Sequence, residues 1–193
     1  MDDLKKNEYD RLCREIASYN DFSVRVINTC ITFSSAIIAA GLAIKTDISS
    51  LVHSYIFLAV NIILIPSLHL LSSYLKAIFR IGMYIAVFHE SEESGIKFEN
   101  RLLKFDSETS LTKSRHGILT TFGSLFIVSL FFSAYYAITK PDFRFYSEWH
   151  YFFIVSLIII LAIHAMVKYK YSSPVVLKKK YKKKWENIKA KGQ

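Results

Sequence analysis

Four long apolar stretches constrain this chain more than any other feature. They are residues 24–44, 51–75, 117–138 and 151–169. A helix needs about 20 mostly apolar residues to cross the hydrocarbon core of a bilayer. None of the four contains Asp or Glu, and their charged residues, Arg25 and Lys168, sit at the ends. Four buried helices of this length and apolarity do not fit inside a soluble domain of 193 residues. The fold class expected is all-α: an integral membrane four-helix bundle with helical extensions on one side. The lipid bilayer is then the first partner.

Orientation follows from the basic residues. The segment before the first span holds Lys5, Lys6, Arg11 and Arg14, and residues 76–116 hold seven more. Ten lie between Lys168 and Lys191, whereas the two short connections hold only Lys45, Lys140 and Arg144. Positive-inside bias therefore predicts both termini and the 76–116 segment in the cytoplasm. The aromatic run 143–153, with Tyr146, Trp149 and Tyr151, then suits the opposite interface.

Several stretches outside the spans are also amphipathic. Residues 1–23 place Leu4, Tyr9, Leu12, Ile16 and Tyr19 at helical spacing. Residues 76–88 are apolar but too short to cross, and are expected to continue the second span as a helix. Re-entry into the membrane is the alternative. Residues 96–105 place Ile96, Phe98, Leu102, Leu103 and Phe105 on a mostly shared face. In the tail, residues 170–193, Pro174 suits a first helical turn after Ser172 and Ser173. Leu177, Tyr181, Trp185 and Ile188 then form one stripe. Lys178, Lys179, Lys180, Lys182, Lys183 and Lys184 cover the rest, making a basic amphipathic helix. Its expected roles are to rest on the membrane surface, or to dock on a protein partner or the chain's own extensions. Nucleic acid ranks last, because the tail has no arginine and no base-reading fold.

Polar groups inside the spans mark the places to look for transport or signalling. Asn28, Asn61, His69 and His164 form the candidate intramembrane polar set, with interhelical hydrogen bonding as their structural role. The absence of carboxylates from the spans weighs against a proton-coupled transporter or a metal carrier. Ser35, Ala39 and Ala43 in the first span, and Ser129 and Ser133 in the third, form small-residue faces. Such faces suit close helix packing within one bundle or between subunits. Pro66 is expected to bend the second span. No phosphate loop, metalloprotease signature, nucleophile elbow or CxxC motif is present, so no enzyme activity, metal or cofactor is expected. Cys13 and Cys30 are expected to be free thiols. His89, Glu90, Glu92 and Glu93 are expected to form a solvated acidic helix end rather than a cation site.

The segment RIGMYIAVFHESEESGIKFENRL, residues 80–102, resembles a stretch of small bacterial multi-pass membrane proteins. The layout of four spans, both ends inside and a basic tail is similar to membrane subunits of bacterial anti-phage systems, such as the KwaA subunits of Kiwa systems. That resemblance is one of layout and transfers no site residues. It implies an oligomeric membrane sensor or effector with a cytoplasmic protein partner. The resulting expectation is a homo-oligomeric inner-membrane scaffold or sensor that regulates such a partner in antiviral defence. A pore- or channel-forming effector is the first alternative and a small transporter the second.

Overall fold

The computed structural model describes residues 3–44, 50–89, 111–138, 149–171 and 174–191. Among them the chain is all-helical, with five helices: α1 (Asp3–Ala43), α2 (Ser50–Phe88), α3 (Leu111–Ile138), α4 (Trp149–Tyr171) and α5 (Pro174–Lys191). The first four are long and apolar enough to cross a membrane. The expected helix over 96–105, the acids Glu90, Glu92 and Glu93, and most of the 143–153 run lie outside the described residues.

Two helices run far beyond the spans expected in them. No Pro or Gly interrupts residues 3–40, so the change from polar to apolar sequence near residue 24 leaves α1 as one helix of 41 residues. α2 likewise runs 39 residues as one helix, with Pro66 inside it and residues 76–88 forming its last turns. Pro66 costs the helix one N–H donor.

The chain divides into two compact units. One comprises Val26–His69 and Arg115–Lys168; the other comprises Met1–Arg25, Leu70–Ser114 and Tyr169–Gln193. We call them the bundle unit and the clamp unit.

α2 is the axis of the bundle unit. In its most apolar stretch 44% of residues are buried, against 17% in each of the other three long helices. Phe57, Val60, Asn61, Leu64 and Leu68 are all at most 2% exposed. α1 approaches α2 at Gly41, where a Cβ would lie 2.8 Å from Phe57 Cζ. The Phe57 ring also stacks on Phe132 and Tyr136 of α3, with centroids 5.2 and 5.5 Å away. His53 stacks on Tyr136 at 4.9 Å, and its Nε2 lies 3.2 Å from the Ile44 carbonyl that follows α1. Leu58, Ala137 and Tyr151 form a shared core of α2, α3 and α4, flanked by Tyr55, Leu130 and Val155.

In the clamp unit, α1 meets α2 through Tyr19 and Phe22, whose rings lie 5.7 and 6.2 Å from Tyr74. Of the five apolar residues expected on one face of residues 1–23, Tyr9, Leu12, Ile16 and Tyr19 are partly buried. Leu4 is 76% exposed, because the stripe outruns the packed part of the helix. Neither Cys13 nor Cys30 is in a disulfide.

Candidate functional site

The polar residues of the bundle unit separate into two kinds. Asn61 is buried in α2 opposite Ser129 of α3. Its amide N–H groups reach Ser129 Oγ at 3.1 Å and the Leu58 carbonyl at 3.3 Å. The Ser129 hydroxyl lies 2.9 Å from the Phe126 carbonyl and can donate to it while accepting from Asn61. This arrangement satisfies the donors of both side chains without water. Ser133 Oγ lies 2.8 Å from the Tyr151 hydroxyl and joins α3 to α4. The serines of the third-span face are thus occupied by bonds inside the chain.

The first-span face has a different environment. Ser35, Ala39 and Ala43 are exposed, as is Asn28. His69 and His164 are neighbours across α2 and α4, with ring centroids 5.7 Å apart. The structure therefore groups the four candidate polar residues as one buried amide, one imidazole pair and one outward-facing amide. Among the described residues, no group of three or more His, Cys, Asp or Glu side chains could hold a metal ion.

The clamp unit concentrates its polar chemistry at the end of α2. The Tyr84 hydroxyl donates to Glu8 Oε1 at 3.0 Å, joining α2 to α1. Glu8 Oε2 lies 3.4 Å from His89 Nε2, so one carboxylate spans both side chains. His89 is 6% exposed and its ring lies 6.1 Å from Tyr9. The expected solvated helix end is therefore a buried imidazole at this position. Burial pushes the Tyr84 phenol above its ordinary value, and the hydrogen bond to the Glu8 carboxylate raises it further.

α5 completes the clamp. The Trp185 indole N–H donates to the Arg80 carbonyl at 3.0 Å. Its ring meets Tyr84 edge-on at 5.2 Å and Phe88 at 6.2 Å. Lys189 Nζ donates to the Val87 carbonyl at 2.8 Å. Val87 lies in the last turn of α2, where carbonyls have no partner within their own helix, so Lys189 acts as a cap. Lys178 sits over the Phe79 ring at 5.7 Å and Lys189 over Phe88 at 5.8 Å. Leu177 is 4% exposed, and Tyr181 is half-buried.

The tail's apolar stripe thus packs on the chain's own α2, while Lys179, Lys180, Lys182, Lys183 and Lys184 face outward. Ile188 is 45% exposed and lies outside the contact. Between the three helices lies an open, mainly apolar cleft of about 200 Å³, lined by Glu8, Leu12, Arg80, Ile81, Tyr84 and Trp185.

Sequence periodicity picked out Trp185 and the lysines, but not Glu8, Tyr84 or Arg80. Glu8 and Tyr84 are 76 residues apart, and no short-range pattern links them. The one local signal is the apolar excess of residues 76–88, which calls for a cover by the N-terminal helix, the tail or another subunit; the first two both meet this part of α2.

No protein-family model matches the chain, nor does any curated protein or solved structure.

Proposed function

We propose that this chain is a non-enzymatic subunit of a homo-oligomeric scaffold or sensor in the bacterial inner membrane. Its clamp unit faces the cytoplasm and binds or regulates a protein partner there. Anti-phage defence is the setting that the resemblance in layout implies. The charge bias across the spans supports the orientation.

One observation carries the oligomer. Asn28, Thr32, Ser35, Ala39 and Ala43 follow one another at spacings of three or four along α1, and all five are exposed. They form a single small and polar face. α4 instead exposes Phe153, Leu157, Ile160, Leu161 and Ile163, bulky apolar groups suited to lipid chains. An amide facing hydrocarbon is costly, and small residues let helix backbones approach closely, so a second copy is the better neighbour for α1.

The test is native mass measurement of the detergent-solubilised protein. Wild type is expected to be oligomeric, and Ser35→Leu/Ala39→Leu to shift toward monomer with its helical content unchanged. A strictly monomeric wild type refutes the reading.

The same face favours a second reading. Asn28, Thr29 and Thr32 on the exposed side of α1 would line a polar path if copies were arranged around an axis. Asn61 would not, since its amide is buried against Ser129. Planar-bilayer recording decides: a conductance reduced by Asn28→Leu supports a pore, and its absence under all triggers removes it.

A further inference from the structure

The clamp changes what the tail lysines can reach. α5 runs beside α2 in the same chain direction: Lys178 lies at Phe79, Trp185 at Arg80 and Tyr84, and Lys189 at Val87 and Phe88. Its stripe is occupied by that contact, so it has no continuous apolar face with which to enter a bilayer interface as a surface helix does. Charge then remains as its means of recognition, and charge acts over about 8 Å in physiological salt. If the second span ends at Leu75, Phe79 lies about 6 Å farther along α2, and Val87 about 18 Å farther. The foot of the pair is within reach of the membrane surface along this helix, whereas its far end is not.

The foot is also where cations gather. Lys76, Phe79 and Arg80 share a face of α2 by their spacing of three and four. Lys178 is held over the Phe79 ring, which directs its ammonium group toward that face. Trp185 ties α5 to the backbone of Arg80 itself. Lys170, near the end of α4, and Lys179, one residue beyond Lys178, add exposed charge close by in the chain. Cations grouped at the cytoplasmic end of spans suit a phosphate headgroup.

We propose that the foot of the α2–α5 pair, built from Lys76, Arg80 and Lys178 around Phe79, binds the phosphate headgroup of an anionic phospholipid. The inference rests on the membrane orientation proposed above and is independent of the oligomer. Headgroup contact at this point fixes the depth of α2 in the bilayer and rewards the docked position of α5. The outward lysines beyond it, Lys183 and Lys184, remain available to the cytoplasmic partner.

The experiment places the full chain in nanodiscs of phosphatidylcholine mixed with phosphatidylglycerol. Lipids retained on release are then counted by native mass spectrometry. Wild type is expected to keep phosphatidylglycerol selectively. Lys76→Gln/Arg80→Gln/Lys178→Gln is expected to lose that selectivity by roughly five-fold per charge removed. Lys183→Gln/Lys184→Gln/Lys191→Gln is expected to retain it. A charge-preserving Lys76→Arg/Lys178→Arg variant should keep the lipid, which separates loss of charge from loss of fold. Equal retention by the foot and far variants overturns the site, and so does equal loss. Failure of the wild type to enter discs overturns the membrane reading along with it.

Discussion

The bundle unit and the clamp unit are held together by different chemistry. In the bundle, polar contacts between helices use neutral groups: the Asn61 amide with the Ser129 hydroxyl, and Ser133 with Tyr151. In the clamp, a carboxylate meets a phenol and an imidazole, and a lysine caps a helix end. The difference is the one that a bundle in lipid and a clamp beside water would call for. A lipid-embedded helix pair must satisfy its own polar groups and avoid charge, because the bilayer offers no hydration. Next to water, charged side chains can hold a helix while their outer surfaces stay solvated. The bundle should therefore respond most to changes in shape and the clamp to changes in polarity.

The comparison breaks first, and with the largest expected effect, at Gly41. Its missing side chain gives room to a Phe57 ring that is fully buried and stacked on two others. Gly41→Leu is expected to cost about 3 kcal/mol through overpacking. The check is the thermal midpoint in detergent, and an unchanged midpoint would show that the α1–α2 contact is loose.

Trp185→Ala should cost about 1–2 kcal/mol, less than a fully buried tryptophan because the ring is half-exposed. Hydrogen exchange would locate the loss: amides of α5 become unprotected while those of α3 do not change. Equal loss in both helices would mean that the two units open together. Trp185→Phe, which keeps ring contacts and removes only the indole donor, should lose about 1 kcal/mol.

A smaller effect is expected at the Asn61–Ser129 bond. A double-mutant cycle with Asn61→Leu and Ser129→Ala should give a coupling of about 0.6 kcal/mol, the usual size for such bonds in membranes. A coupling several times larger would make this bond, rather than ring packing, the organiser of the bundle.

The smallest effect concerns pH. Because the Tyr84 phenol is raised above its ordinary value of 10.0, the unfolded chain releases that proton first. The contribution of Tyr84 is intact below about pH 10 and declines as pH rises through the folded value. Stability of α5 and the start of α1 should fall more steeply above pH 10 in wild type than in Tyr84→Phe. Identical slopes, measured by hydrogen exchange corrected for intrinsic rates, would remove Tyr84 from the clamp.

Helix type and the four spans were legible because apolar length is a property of a continuous segment. So was the tail stripe, since Leu177, Tyr181 and Trp185 repeat at helical spacing. What each face meets was not legible. Ser35, Ala39 and Ala43 carry the same signature as Ser129 and Ser133, yet the first three are exposed and the two serines of α3 are buried in bonds. Periodicity assigns residues to a face, and only the partner helix decides its environment. The boundary between segment and span at residue 24 leaves no mark on α1 for a related reason: hydropathy changes there, but nothing stops backbone hydrogen bonding. The Glu8–Tyr84–His89 group joins distant segments, and its members resemble ordinary surface residues until α1 lies against α2.

The indole of Trp185 gives the protein an internal optical probe. The chain has only two tryptophans, Trp149 at the start of α4 and Trp185 in α5. They fall in different units. In a Trp149→Phe chain, all indole emission would arise beside Tyr84 and Phe88, from a ring whose N–H is engaged by a backbone carbonyl. Release of α5 would place that ring in water and shift its emission to the red. Movement of the tail could then be followed in intact membranes, in real time and without an attached dye.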